Sequence, residues 1–477
     1  MRNRKPWHAA RAVICVTWAL SPLSGFAPDR ADRWLNATAS MPPELGADVL
    51  IRAAGALVVD ADRARLLARA FVLASRAQEL YGRVSRAPQL RESRARYVAL
   101  STKMGVNRLA LQCRVIRAIL PIDPSTARQL LEQLEMPALP PVACGDPLIP
   151  DISEYYDTAR LVLAKSGLGD GRTAFLNRLI ENIQSPLQLA PVARLLAQSE
   201  LSGAELKRLV DNYAYALREM RGGDPAFRYA VVSQHLVTEV EALARRCQPD
   251  SDLTGALLLA LRGFVTSHLS GPACHDSFLP EARREIQAAV VEPYNNRLRL
   301  PGELTRDGLP VLEMDEMWPS DADNARLEVQ AFWQDNEAQA LWSQVAERAA
   351  DGGDSAEPKL DPAEVAHQVG VWQRPEAMAE EDFFHQKLLL YERLVGTLPA
   401  GASRQEVVRM CIAFLGDSPV QGRAPAEWLW HVAALMRDDG VREDVLRAMG
   451  ESGDVALRSY AELEQRIPLS VSKSAVR

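Results

Sequence analysis

No Gly-x-Ser-x-Gly, His-Glu-x-x-His or Cys-x-x-Cys occurs in the chain. The nucleophile elbow, the zincin helix and the paired-thiolate zinc knuckle are thereby removed. Aromatic residues are only 6% of the total, and no run alternates apolar and polar residues between turn residues, which disfavours strands. No apolar stretch approaches the roughly 20 residues that cross a bilayer. Basic residues are outnumbered, 55 Lys and Arg against 62 Asp and Glu. They form no cluster with interleaved aromatics, so nucleic acid is not an expected partner. The tetratricopeptide signature is missing, and no period between 30 and 45 residues repeats.

What is present is ordinary globular composition, 47% hydrophobic and 25% charged over 477 residues, enough for two or three packed cores. The first residues read as an export signal. Arg2, Arg4, Lys5 and Arg11 make a basic start, and Ala12 to Leu20 is a nine-residue uncharged segment followed by Ser21 and Pro22. Nine residues are too few to span, so a cleaved signal peptide within residues 1–34 is expected and no transmembrane helix after export. The expected location is periplasmic or extracellular. The competing reading is a basic helix belonging to the fold.

Charge and tryptophan both change along the chain. Residues 35–300 carry a net +4 and residues 301–477 a net −15. After Trp34 no tryptophan occurs until Trp318, which Trp333, Trp342, Trp372, Trp428 and Trp430 follow. Both shifts flank Leu300 to Pro319, a Pro- and Gly-bearing stretch without helical period. Two domains, 35–300 and 301–477, are therefore expected. A polar linker from Asp351 to Pro362 is expected inside the second.

Several segments have a 3.6-residue apolar period. Leu206, Leu209, Val210, Tyr213, Ala214 and Leu217 share a face, preceded by Ser202 and Glu205 at capping-box spacing. Leu257, Leu261, Phe264 and His268 form a second stripe. Phe384, Leu388, Tyr391 and Val395 form a third, with Glu380, Glu381 and Asp382 in the first turn as the helix dipole prefers. A further helix is expected from Ser320 through Trp342. Such segments, joined by short loops, predict an all-α multi-helix array of antiparallel helical hairpins, either a degenerate α-solenoid or irregular helical bundles.

One internal similarity stands out. Ala143 to Asp151 and Ala273 to Glu281 share Ala-Cys-x-Asp-x-apolar-x-Pro-acid, 130 residues apart, each just before a helical stretch. Each copy also has a second cysteine upstream on an apolar helical face, Cys113 and Cys247. In an oxidising compartment this predicts two disulfides, Cys113–Cys144 and Cys247–Cys274. Each would close a loop of about 30 residues, worth roughly 3–4 kcal/mol in the chain-entropy account. The plainer reading is buried free thiols. Cys411 has no mate and reads as core.

The remaining candidates for chemistry each have a simpler explanation. His268, Cys274 and His275 lack zinc-ligand spacing. Glu364-x-x-His367 and Asp382-x-x-His385 match the carboxylate–imidazole unit of di-metal bundles, but such spacings recur by chance in an acidic chain, and His367 lies off the Val365, Val369 and Trp372 face. Gly167, Gly169 and Gly171 follow a helix rather than a strand, and so read as a helix end. Ser470-x-x-Lys473 lies in a polar tail. The tryptophans beyond residue 318 could line a carbohydrate or peptide groove, or simply be core. No catalytic residue, cofactor or metal is expected. The leading expectation is an exported, non-enzymatic binding or scaffold protein of the cell envelope whose partner is a protein or peptide. The alternative is a helical envelope enzyme acting on glycan or lipid through acidic residues that converge only in three dimensions.

Overall fold

The computed structural model describes residues 30–85, 94–136, 138–140, 142, 148–165, 170–220, 230–269, 287–295, 336–350, 362–417, 425–437 and 439–467. Among them are nineteen α-helices and one two-stranded ribbon. The expected all-α array is the fold. Helices α1 (Arg30–Ala37), α2 (Pro43–Ala56), α3 (Asp60–Ala74), α4 (Arg94–Thr102), α5 (Arg108–Ile119) and α6 (Pro124–Gln133) open the chain. They are followed by α7 (Ser153–Lys165), α8 (Asp170–Glu181), α9 (Leu189–Gln198), α10 (Gly203–Glu219), α11 (Ala230–Cys247) and α12 (Ser251–Leu269). A second set comprises α13 (Asn336–Ala350), α14 (Pro362–Val371), α15 (Glu380–Thr397), α16 (Ala402–Asp417), α17 (Pro425–Leu435), α18 (Asp439–Glu451) and α19 (Val455–Arg466).

Alternate helices stack. α3, α5, α7, α9 and α11 pack in succession as one row, and α8, α10 and α12 as another, with α9–α10 and α11–α12 contacts joining the rows. The same rule runs through the second set, where α13, α15 and α17 form one row and α14, α16 and α18 the other. This is the hairpin array anticipated from short loops between amphipathic segments.

Local chemistry sets the helix starts. Ser202 Oγ accepts from Glu205 N, and the Glu205 carboxylate accepts from Ser202 N at 2.9 Å, closing the expected capping box of α10. Leu206, Leu209, Val210, Tyr213, Ala214 and Leu217 are all buried, and the Tyr213 hydroxyl donates to Leu189 O at 3.0 Å, tying α10 to α9. Asn107, Asp123 and Asp250 cap α5, α6 and α12 in the same way.

Strands were not expected, and two form. β1 (Gly82–Ser85) and β2 (Leu148–Asp151) pair antiparallel, with Gly82 opposite Asp151 and Val84 opposite Ile149. Four residues are too few to display alternation, and Pro150 argues against a strand unless the strand is an edge. β2 is the apolar-x-Pro-acid end of the first motif copy. Its Asp151 carboxylate accepts from Ser153 N at 3.0 Å and Ser153 Oγ at 2.7 Å, capping α7. The second copy, Ala273 to Glu281, lies outside the described residues, as do residues 300–319, 320–335 and 351–361 with the boundary, helix start and linker expected there. α1 begins within the expected leader of residues 1–34, runs past its end to Ala37, and buries Ala31.

The two helix sets meet through α2. α17 packs on α2 and α4, and α19 packs on α1 and α2. At this seam Arg52 Nε donates to Asp48 at 2.8 Å, and its Nη1 bonds Glu464 of α19. Arg114 Nη2 reaches the other Asp48 oxygen at 2.7 Å, and Arg442 Nη2 donates to Glu464 O at 3.2 Å. Asp48, Arg52 and Glu464 are buried. Each is thus compensated, as a buried charge must be.

Candidate functional site

Two cavities open on either side of a short 3₁₀ turn, Pro186–Gln188, and both are lined by Pro186. Ser185 and Gln188 form a reciprocal capping box around that turn, and Gln188 Nε2 also lies 3.4 Å from the Tyr156 hydroxyl, so the divider is held rigidly. The larger cavity, about 680 Å³, is a groove between α8 and α10. Its apolar lining comes from Ile180, Ile183, Ala216 and Met220, and Tyr215, 58% exposed, stands on its wall. Glu181 and Glu219 supply carboxylates, and Asn177 links the helices by donating to Glu181 at 2.5 Å and accepting from Asn212 at 2.6 Å.

The smaller cavity, about 290 Å³, is a cleft where β1 and β2, α7, α9 and α11 converge. Val84, Ile149, Ile152, Leu187 and Ala190 make it apolar, and Pro150, Pro186 and Pro191 make it stiff. Its polar side carries Ser153, Asp157, Arg194 and His235. Glu239 grips Arg194 through Nε at 2.8 Å and Nη2 at 2.7 Å, while Asp157 stands 3.8 Å from Arg194 Nη1. Hydrogen bonding to Glu239 raises the Arg194 pKa further, so the guanidinium is permanently charged and mostly neutralised. A largely apolar, preformed pocket with a few convergent polar groups is the usual form of a binding site.

A third cluster lies in the core of the second helix set. His385 Nδ1 is 3.1 Å from His431 Nε2, the rings stack at 5.4 Å, and His431 Nδ1 bonds Glu392. Both imidazoles are fully buried, and burial pushes the Glu392 carboxyl well above the usual carboxylate range. Beside it Lys387 Nζ donates to Gly370 O at 2.9 Å and Trp372 O at 2.8 Å, closing the end of α14, with burial lowering its pKa to about 8. The imidazoles pair with each other and with Glu392, and the Lys387 ammonium pairs with two carbonyls, which reads as a structural role.

The residues singled out in the sequence fall as follows. Cys113 and Cys247 are buried, and burial pushes their thiols up to about 12 and about 11. Their expected mates, Cys144 and Cys274, lie outside the described residues. Among the described residues no two cysteines are at disulfide distance, and Cys113, Cys247 and Cys411 are thiols. His268 is buried, stacked on Phe264 at 3.9 Å with Nδ1 2.9 Å from Phe264 O, a core role. His367 is exposed and His385 is buried, and among the described residues no group of three or more His, Cys, Asp or Glu could hold a metal ion. Trp372 is buried against Phe383 at 4.8 Å, and Trp430 is buried also, so these tryptophans are core rather than groove. Trp318, Trp333, Gly167, Gly169, Ser470 and Lys473 lie outside the described residues. Comparison with family models, curated proteins and solved structures finds no match.

Of the residues lining this trough of groove and cleft, the sequence singles out only the motif end, Ile149 to Asp151, and there for a disulfide rather than for binding. The signal available was Tyr215. On a helix whose stripe is Leu206 to Leu217, it is the aromatic residue that falls off the apolar face.

Proposed function

We propose that the chain is an exported, non-enzymatic helical binding protein of the cell envelope that holds an extended, basic segment of a protein partner in the trough beside Pro186. The observation that carries this reading is the trough itself, apolar along its floor and bordered by Glu181, Glu219 and Asp157. Apolar area gives affinity, and carboxylates select lysine- and arginine-bearing partners while excluding acidic ones. An enzyme acting on glycan or lipid would find its best foothold in the cleft, where Asp151, Asp157 and His235 share walls. Asp151 is spent on capping α7, which favours binding over general acid–base chemistry.

The export part of the reading rests on the basic start and the short apolar segment at Ala12 to Leu20. The mature chain is expected to begin between about residues 20 and 36. N-terminal sequencing and fractionation of the native protein test this, and intact Met1 in a cytoplasmic fraction ends it. Oxidation in that compartment would pair Cys113 with Cys144 and Cys247 with Cys274. Peptide mapping without reductant should recover both pairs, and alkylation of all four in denaturant without reductant removes them.

Binding is tested by anisotropy with panels of unstructured lysine-rich and glutamate-rich peptides. The lysine panel should bind the full chain, weaken as salt rises, and weaken again in Glu219→Lys and Glu181→Lys. Equal binding of both panels, or variants that bind like the parent, removes the reading.

A further inference from the structure

The ribbon has two unlike edges. On β1 the outward backbone is closed, because Thr102 Oγ1 of α4 donates to Arg83 O at 2.9 Å and lies 3.4 Å from Arg83 N. Since Arg83 turns its groups outward, its partner Pro150 does too, and Val84 with Ile149 is the hydrogen-bonded pair. The outward groups of β2 are therefore the carbonyls of Leu148 and Pro150 and the Leu148 N–H. Among the described residues none of these has a partner beyond β1. Pro150 fits such an edge because it has no N–H to leave unpaired.

The cleft borders β2. Ile149, Pro150 and Asp151 point alternately to opposite faces of the ribbon, yet all three line it. Val84 of β1, opposite Ile149, lines it as well, so the cleft lies over the Val84–Ile149 face and reaches β2, where a side chain of an added strand on that face would enter it. An edge with unsatisfied backbone, a residue-sized apolar cleft next to it and acidic neighbours are the parts that strand addition uses, main chain for affinity and pocket for selectivity.

We propose that β2 accepts a third strand from the bound peptide, with one apolar or aromatic side chain of that peptide in the cleft. The inference rests on the trough being a peptide site and specifies how the peptide is held. The strand passes Pro186 into the α8–α10 groove, where Glu181 and Glu219 meet its basic residues.

The test uses the full chain and a fluorescent seven-residue peptide alternating lysine and valine around a central phenylalanine. Three changes probe the strand: methylation of the peptide nitrogens that would face β2, Ala190→Trp, which fills the cleft, and Leu187→Trp, which narrows it from a half-buried wall. Each should weaken binding by about tenfold or more, and hydrogen exchange in 148–152 should slow on binding. Circular dichroism shows which filled variant folds, and that variant is the one read. If methylation and cleft filling leave affinity unchanged while Tyr215→Ala abolishes it, strand addition is wrong and the groove reading stands. If the lysine peptide fails to bind at all, both fall.

Discussion

From α4 to α12 the buried polar side chains are uncharged hydroxyls and amides, such as Ser101, Asn107, Thr158 and Gln188, together with the imidazole of His268. In α2 and in α13–α19 all but the amide of Gln386 are ionisable: Glu44, Asp48, Arg52, His385, Lys387, Arg404, His431, Asp444 and Glu464. The difference follows the seam. α2 carries charges on the side that meets α19, and an ion network of Arg52, Asp48, Arg114, Glu464 and Arg442 fixes one register where purely apolar surfaces could slide. The rows that build the trough interlock through apolar faces, and their polar links, the Tyr213 hydroxyl bond between α10 and α9 and the Arg194–Glu239 pair between α9 and α11, include an ion pair that is only partly buried.

The sharpest way to break this comparison is Arg52→Ala. It strands Asp48 and Glu464 without their shared cation in a buried site, which should cost about 3–5 kcal/mol. Arg409→Ala in the same helix set removes only a surface pair with Glu406, both more than half exposed, and should cost less than about 1 kcal/mol. Urea unfolding followed by circular dichroism measures both. Equal losses would mean that the seam charges are no different from surface ones.

A smaller effect separates the seam from the core of the second set by the sign of its pH dependence. Burial raises the Glu392 carboxyl, so the folded state binds that proton more tightly than the unfolded one. The resulting stability is present below the ordinary carboxylate range and lost as pH rises through the raised folded value. At Asp48 burial also pushes upward, but Arg52 and Arg114 together outweigh it and the net shift is downward. That stability is present above the ordinary Asp range and lost as pH falls through the lowered value. Glu392→Gln, uncharged and still able to donate to His431, should flatten the loss on the alkaline side. Asp48→Asn should lower stability at neutral pH and flatten the acid side. Thermal melts across a pH series measure this, and slopes of the same sign for the two variants would contradict the assignment.

How much could be read in advance depended on sequence separation. α10 was legible because its cap and stripe lie within sixteen residues of each other, and the chemistry that starts and buries it is local. The all-α array followed from many such segments. The seam was not legible, since Arg52 and Glu464 are 412 residues apart, although Asp48 and Arg52 among Leu45, Val49 and Ala53 left α2 with no clear polar face. The Asp382–His385 spacing drew notice for metal chemistry, but the decisive neighbour of His385 is His431, 46 residues on, which no local pattern marks. The ribbon was hidden by its brevity and by Pro150. The disulfide motif was visible as a repeat, and half of its meaning, a strand end and the cap of α7, needed coordinates.

The smallest predicted effect concerns helix starts, which are of both kinds in each set, α2, α3 and α9 being without a side-chain cap in the first. In the first set α5, α6, α10 and α12 have side-chain caps, from Asn107, Asp123, Ser202 and Asp250. In the second, α19 is capped by Asp454, but α15, which carries the histidine cluster, begins at Ala379, which has no side chain to offer. Its dihedrals, φ −61° and ψ 143°, are already those of a capping residue, so a hydroxyl placed there would meet the first amides of α15 without moving the backbone. Ala379 is exposed, and nothing packed is disturbed. Ala379→Ser should therefore stabilise the chain by about 0.5–1 kcal/mol, and Ser202→Ala should cost about 1 kcal/mol. The gain at Ala379 should add to the loss at Ser202 in the double variant, because the sites share no partner. Urea midpoints at constant slope measure all three. A neutral or destabilising Ala379→Ser would mean that the acidic residues Glu380, Glu381 and Asp382 in the first turn already satisfy the start of α15 through the helix dipole, and that the two kinds of start serve equally well by different means.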